Sequence, residues 1–426
     1  MRYPDFIEKN FRFPDFYRVE GVFPRPFLIA IESDLHQKFH EKILQYPVNG
    51  KKIGVGVGSR GIRNIDLITK VVCQQIRENG GTPYIIPAMG SHGGATSEGQ
   101  ESVLKSLGID ADTCQAEVLS SMTVDEIGKI ENEVPVYYSS AAFTMDYCIC
   151  INRIKAHTKF KGKVESGLLK MLCIGLGKHK GAIAYHTFAL KYGFYPTLEK
   201  IGRQVLNKSN FKFGIGIIEN AYDETMAIEL IDADHLIQKE SELLLIAKKN
   251  MPGLPVNELD VLIVSQIGKD ISGAGMDPNI TGRAADLMED DFSGNLKTTR
   301  LGILNLSPGS KGNSLGIGNA DFISEKVFND LDYEATIMNV LTGVSLKKGF
   351  IPIRMPNDQK VIQACFTTIG PKPPETVAAI IINNTLDLKN YYISEPLNNQ
   401  LSNHPNCNIC DKQPLTFDDS GNLNLF

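Results

Sequence analysis

Three histidines and one lysine stand in settings where their side chains could do chemistry. His92 lies in Met89-Gly90-Ser91-His92-Gly93-Gly94, and the flanking glycines let backbone and ligand approach closely. The bland reading is a turn whose imidazole caps the backbone. His157 opens a denser stretch containing Lys155, Lys159, Lys161, Lys163 and a single acid, Glu165. A solvated basic face would account for that much. Against it, Ser166-Gly167-Leu168-Leu169-Lys170-Met171-Leu172-Cys173-Ile174-Gly175-Leu176-Gly177 is largely apolar around Lys170. A lysine in that context is partly desolvated, which depresses its pKa and favours covalent chemistry with an electrophile. Gly175 and Gly177 suit an anion-binding loop of backbone N–H groups. His186 follows sixteen residues after Lys170.

Two general acid/base groups facing each other across a substrate, plus one metal ligand, would use all three histidines. A zinc-dependent hydrolase with His92, His157 and His186 as ligands and Glu165 or Asp277 as base is the competing arrangement. Neither HxH nor HExxH occurs, so spacing alone leaves both open.

The elements that must carry these residues read as α/β. Lys51–Val57 is predicted as a buried strand ending in Gly58-Ser59-Arg60-Gly61, followed by an amphipathic helix over Asp66–Asn79 and a second strand over Thr82–Pro87. A helix over Ser97–Leu107 can be capped by Thr96 or Ser97. Further interior strands are expected at Tyr147–Ile151, Phe213–Ile218, Asp260–Val264, Thr299–Leu306 and Val377–Asn383. Asn250–Pro255 has linker chemistry. The expected fold class is α/β: two α/β domains with mostly parallel or mixed sheets flanked by helices, the active site in the interdomain cleft. Residues 1–255 form the first domain and 256–397 the second. Residues 398–426, rich in Asn, Asp and Pro, are read as a polar extended tail. Ligands in such sheets bind where the carboxyl ends of strands meet their loops, which is where the polar, glycine-rich segments fall. Two such loops have ordinary readings as well: Glu219–Thr225 as a helix cap, and Ser307–Ser314 as a plain connection.

Composition narrows the class. The chain has 426 residues, 42% hydrophobic and 22% charged, as a folded globular protein does. A net charge of −5 gives no basic field for nucleic acid. No run of about 18 apolar residues would span a membrane, and Met1-Arg2-Tyr3-Pro4-Asp5 lacks the apolar stretch of a signal peptide, so a cytoplasmic chain is expected. The eight cysteines are scattered, with one CxxC at Cys407 and Cys410 and only His404 nearby, short of a four-ligand zinc site. No GxxxxGK[ST] loop is present, and Gly54-Val55-Gly56-Val57-Gly58 does not match GxGxxG.

The arginine loop at Arg60, the Gly90-Ser91-His92 turn and the His157…Lys170…His186 segment together resemble the nickel-pincer-nucleotide lactate racemase family. The resemblance implies a racemase or epimerase of a 2-hydroxy acid that works by transient hydride transfer. Its cofactors would be nickel and the pyridinium-3,5-bisthiocarboxylic acid mononucleotide. It places Lys170 as the lysine joined to the nucleotide, with Lys163 and Lys161 as the alternatives. It also makes His186 the nickel ligand, His92 and His157 the acid/base pair, and Arg60 the group orienting the substrate carboxylate. In the second domain, Lys269 or Arg283 would supply a substrate cation, in a loop that departs from the family. The implied partners are a small 2-hydroxy acid and the enzymes that make the cofactor. Outside catalysis, the chain would be a nucleotide- or cofactor-binding protein without turnover.

Overall fold

Isoleucine and valine alternate with glycine over Lys52–Val57, and that alternation sets how this part of the chain packs. Ile53, Val55 and Val57 join Ile65, Ile68 and Val72 of the following helix in one buried cluster. Successive residues of a strand point to opposite faces, so the glycines leave the other face bare. A Cβ on Gly56 would sit 2.7 Å from Cys150 Sγ, and one on Gly214 would sit 2.6 Å from Leu168 Cδ1. The patch at Gly214 is where the segment carrying Lys170 lies against the sheet.

The computed structural model describes residues 3–59, 61–284 and 296–426. The chain divides into two units, Pro24–Met251 and a second made of Met1–Phe23 with Pro252–Phe426. The strands in chain order are β1 (Phe16–Gly21), β2 (Lys52–Val57), β3 (Thr82–Pro87), β4 (Glu117–Val118), β5 (Val124–Ile130), β6 (Val134–Ser139), β7 (Tyr147–Arg153) and β8 (Phe211–Glu219). They continue as β9 (Thr225–Asp232), β10 (Glu258–Ile267), β11 (Lys297–Leu306), β12 (Phe322–Ser324), β13 (Ile353–Met355), β14 (Ala379–Ile382), β15 (Asn390–Ser394) and β16 (Cys407–Gln413).

In the unit Pro24–Met251 the sheet order is β4-β3-β2-β7-β8-β9. Strands β4, β3, β2, β7 and β8 run parallel and β9 returns antiparallel. The helix Ile65–Glu78 makes the βαβ crossover between β2 and β3, and Thr96 caps the helix Ser97–Ser106 by accepting from Gly99 N–H. Because β2, β3 and β7 are parallel, the loops carrying Ser59, His92 and His157 all leave from the same edge of the sheet. The antiparallel hairpin β5–β6 is an element that the sequence reading did not contain.

The other unit holds the sheet β13-β12-β11-β10-β14-β15-β1-β16. Strands β13, β12, β11, β10 and β14 are parallel; β15, β1 and β16 are antiparallel to their neighbours. Two expectations change here. The N-terminal strand belongs to this sheet and not with the residues that follow it. Residues 398–426 are not an extended tail: Cys407–Gln413 is an edge strand with Ile409 opposite Val19, and Leu415, Phe417, Leu423 and Leu425 pack on the core. An edge strand with one solvated face needs few apolar residues, so its polar composition disguised it. No helix among the described residues is long and apolar enough to cross a membrane.

Candidate active site around Lys170 and His157

The loop after β7 folds back on itself through a bridge between Lys155 and Ser166, forming a clip with His157 on one arm and Lys170 just beyond the other. Lys170 Nζ lies 3.1 Å from His157 Nε2. His157 Nδ1 accepts the Lys159 backbone N–H at 3.0 Å, and the ring tilts over Phe160 with centroids 4.4 Å apart. Phe160 stacks on Phe194 at 5.9 Å, Phe194 meets Tyr185 at 6.2 Å, and Tyr185 meets the His186 ring edge-on at 5.1 Å. An aromatic chain therefore connects His157 to His186, with Lys159 Nζ above the Phe194 ring at 4.5 Å.

His186 Nδ1 is buried and has no hydrogen-bond partner. Burial, and then the charges of Lys159 and Lys170, lower its pKa to about 3, so the ring is neutral near pH 7 and keeps a nitrogen lone pair. A neutral imidazole with an unoccupied nitrogen is the form that binds a metal.

The clip is anchored from behind. Glu165, buried, accepts the backbone N–H of His157 at 2.7 Å and of Gly162 at 3.3 Å, and pairs with Lys248 at 2.6 Å. Asn152 Nδ2 donates to Gly167 O at 2.9 Å, and Glu240 accepts the Leu169 N–H at 2.9 Å. Burial raises the pKa of Glu240 to about 7, against backbone N–H bonds from Leu169 and Leu168 that lower it.

His92 sits on the neighbouring loop. Its Nδ1 is hydrogen-bonded to Ser59 Oγ. Gly90 N–H donates to Gly175 O at 3.2 Å, tying this turn to the Lys170 segment. Gln100 Nε2 donates to Gly90 O at 2.8 Å and His92 O at 3.4 Å, while its Oε1 accepts from Lys178 Nζ at 3.0 Å. Lys178 also donates to Pro87 O at 2.6 Å and has a left-handed backbone, φ 53°. Burial lowers its pKa to about 8.

Several expected site residues prove to have structural roles. Gly175 and Gly177 do not form an anion-binding loop. Met171–Gly175 is a π-helical turn in which Leu176 N–H donates to Met171 O, and a Cβ on Gly175 would sit 2.6 Å from Ala88 O. Close packing explains both glycines, since a Cβ on Gly177 would meet Cys173 O at 2.3 Å. Arg283, in the other unit, donates to Thr298 O, Thr299 O and Asp321, which fixes it to its own sheet. Lys269, also in that unit, reaches Asn339 Oδ1. Arg60 lies outside the described residues. Lys163 is exposed and Lys161 half-buried, whereas Lys170 meets the histidine. Glu219–Thr225 is not a helix cap but the turn between the antiparallel strands β8 and β9, with Glu219 engaged by Arg153 and Arg63 N–H, whereas Ser307–Ser314 is a plain connection in which Ser307 donates to Asp270. Glu165 is consumed by its backbone bonds, and Asp277 caps a short helix through Asn279 N–H at 2.8 Å. Among the described residues no three His, Cys, Asp or Glu side chains converge as a metal site, so the three-histidine zinc centre is not assembled. Glu240, Lys178 and Gln100 support the site from behind without standing out in the sequence. Their only sequence signal is a charged or amide side chain at an apolar helix position.

No protein-family model matches the chain, and no curated protein is similar to it in sequence. Solved structures do match. A structural-genomics target from Thermotoga maritima is 14% identical, with 66% of this chain and 72% of that one covered and a TM-score of 0.49. The lactate racemase apoprotein from Thermoanaerobacterium thermosaccharolyticum is 13% identical, with 90% of this chain and 97% of that one covered and a TM-score of 0.48. At such identities the chemistry has to be argued from the site's own geometry.

Proposed function

We propose that this chain is a racemase or epimerase of a small 2-hydroxy acid that carries the nickel-pincer nucleotide on Lys170. The observation that carries the reading is the contact between Lys170 Nζ and His157 Nε2, beside the orphaned His186 Nδ1. A neutral imidazole has one acceptor nitrogen, and His157 Nδ1 already accepts from the Lys159 amide. Nε2 is therefore the ring nitrogen that faces Lys170, the amine that would attack the nucleotide.

The residues present fit the group that the sequence resemblance implies. Lys170 would hold the nucleotide covalently, and His186 would give nickel its protein ligand through a neutral ring. When bound, the nucleotide would supply the acceptor and donor of hydride. The chain's own part is to move the hydroxyl proton and to orient the substrate. His92, steadied by Ser59, and His157, steadied by the Lys159 amide, would each take and return that proton on one side of the reacting carbon. Arg60 remains the proposed carboxylate partner.

The test is to express the chain with nickel and the cofactor-making enzymes, then map adducts by peptide mass spectrometry and follow inversion of 2-hydroxy acids labelled with deuterium at C2. An adduct on Lys170, absent in Lys170→Ala, with inversion that retains the C2 label, is expected. An unmodified lysine, or loss of the label to solvent, would refute the reading. An adduct without inversion across a panel of substrates would favour a cofactor carrier.

A further inference from the structure

Glu240 lies on the helix Leu236–Lys249 and is fully buried, yet it forms no ion pair among the described residues. One carboxylate oxygen takes backbone N–H bonds at the start of the Lys170 helix, from Leu169 at 2.9 Å and from Leu168. The other has no hydrogen-bond partner and faces Gly167, where a Cβ would sit 2.1 Å from it. First-turn amide N–H groups have no partner within their own helix and need one elsewhere. Here an acid from a distant part of the chain provides it, and only glycine at position 167 leaves that acid room. The same helix sends Lys248 to Glu165, which holds the His157 amide.

We propose that Glu240 is the positioning residue for Lys170: it fixes the Gly167–Leu169 backbone so that the Lys170 amine meets His157. The helix Leu236–Lys249 then acts as a jig for both arms of the clip. The consequence for catalysis rests on Lys170 being the reactive amine, but the geometry is testable without cofactor or turnover.

The probe is an acetylating ester of N-hydroxysuccinimide applied to the full chain from pH 6 to 10, with acetylation of Lys170 and of the exposed Lys208 quantified by peptide mass spectrometry. In the wild type the Lys170 to Lys208 rate ratio should differ from one by at least ~5-fold, because the amine is half-buried and held against an imidazole. Glu240→Gln keeps an acceptor oxygen and should stay within about 2-fold of the wild type. Glu240→Leu removes it and should bring the ratio towards one. Gly167→Ala, which displaces the carboxylate from the other side, should do the same. A merely structural role would lower the melting temperature without moving the ratio. An unchanged ratio in whichever of the Leu and Ala variants folds overturns the proposal. So does a Gln variant that shifts as far as Leu, or failure of both variants to fold, which would make Glu240 a residue of the fold alone. None of these outcomes depends on whether the chain racemises anything.

Discussion

Replacing Lys178 by methionine separates two opposing contributions beneath the His92 turn. The lysine is fully buried and donates to Pro87 O and Gln100 Oε1, and Gln100 in turn holds Gly90 O. Methionine has a similar length but no donor, so both oxygens lose a partner inside the protein, at about 1–3 kcal/mol each. Against this, the variant no longer buries an ammonium. Burial lowers the Lys178 pKa from 10.5 to about 8; at roughly 1.4 kcal/mol per unit, holding the charged form in the fold costs about 3 kcal/mol. The sign follows from proton binding. Between about pH 8 and 10.5 the unfolded chain binds more protons than the native one, so the lysine's unfavourable contribution fades as pH rises. Lys178→Met should therefore be nearly neutral to moderately destabilising at pH 7, and its deficit should grow by 2–3 kcal/mol, roughly, on going to pH 10. Urea unfolding of both proteins at pH 7, 8, 9 and 10 measures this, and subtracting the two series cancels the other titrating groups. A deficit that stays constant with pH would refute the assignment of a depressed, buried ammonium at this position.

Three other outcomes follow from the geometry. Gly56→Ala puts a Cβ 2.7 Å from Cys150 Sγ, an overpacking expected to cost about 1–3 kcal/mol in thermal unfolding; an unchanged melting temperature would show that the sheet can yield there. Ser59→Ala removes the hydroxyl bonded to His92 Nδ1, worth about 1 kcal/mol, so the His92 tautomer ratio read by nitrogen NMR should shift by about 5-fold, and an unaltered ratio would remove Ser59 from the site. Truncation after Asn403 deletes β16 and the packing of Leu415, Phe417, Leu423 and Leu425. That loss of several kcal/mol, roughly, rivals the stability of a domain, so limited proteolysis should digest the β10–β15 region while sparing residues 24–251; equal protection of both would contradict the role given to that strand.

How much was legible in the sequence depended on whether the signal was local. The strands Lys52–Val57 and Thr82–Pro87 and the helix Ile65–Glu78 carry their periodicity within a few residues, and each lies within a residue or two of where the pattern put it. β1 and β16 are strands because Tyr17 pairs with Lys412, and nothing near either residue announces the other. The site divides the same way. Lys170 stood out by its apolar neighbours, and the structure brings it to His157 across a clip of thirteen residues. Glu165 looked like a free acid because its partner Lys248 is 83 residues away. At Gly175 and Gly177 glycine signals close approach without saying to what; here the neighbour is protein backbone.

The sheet that contains β1 also has an order in time. A ribosome releases β1 before any residue from Pro24 to Met251, yet its pairing partners β15 and β16 emerge only after that whole unit and the strands β10–β14 have been made. During that interval the nascent chain carries an unpaired strand with two open edges, including Phe16 and Val19, which are fully buried in the finished fold. The unit Pro24–Met251 has all its strand partners within itself and can close first, on the chain. The other unit must wait and then join both ends of its sequence in one sheet, a pairing of long loop-closure distance and slow formation. Synthesis therefore passes through a stage in which a finished α/β unit is preceded by one strand whose partners are still to be made.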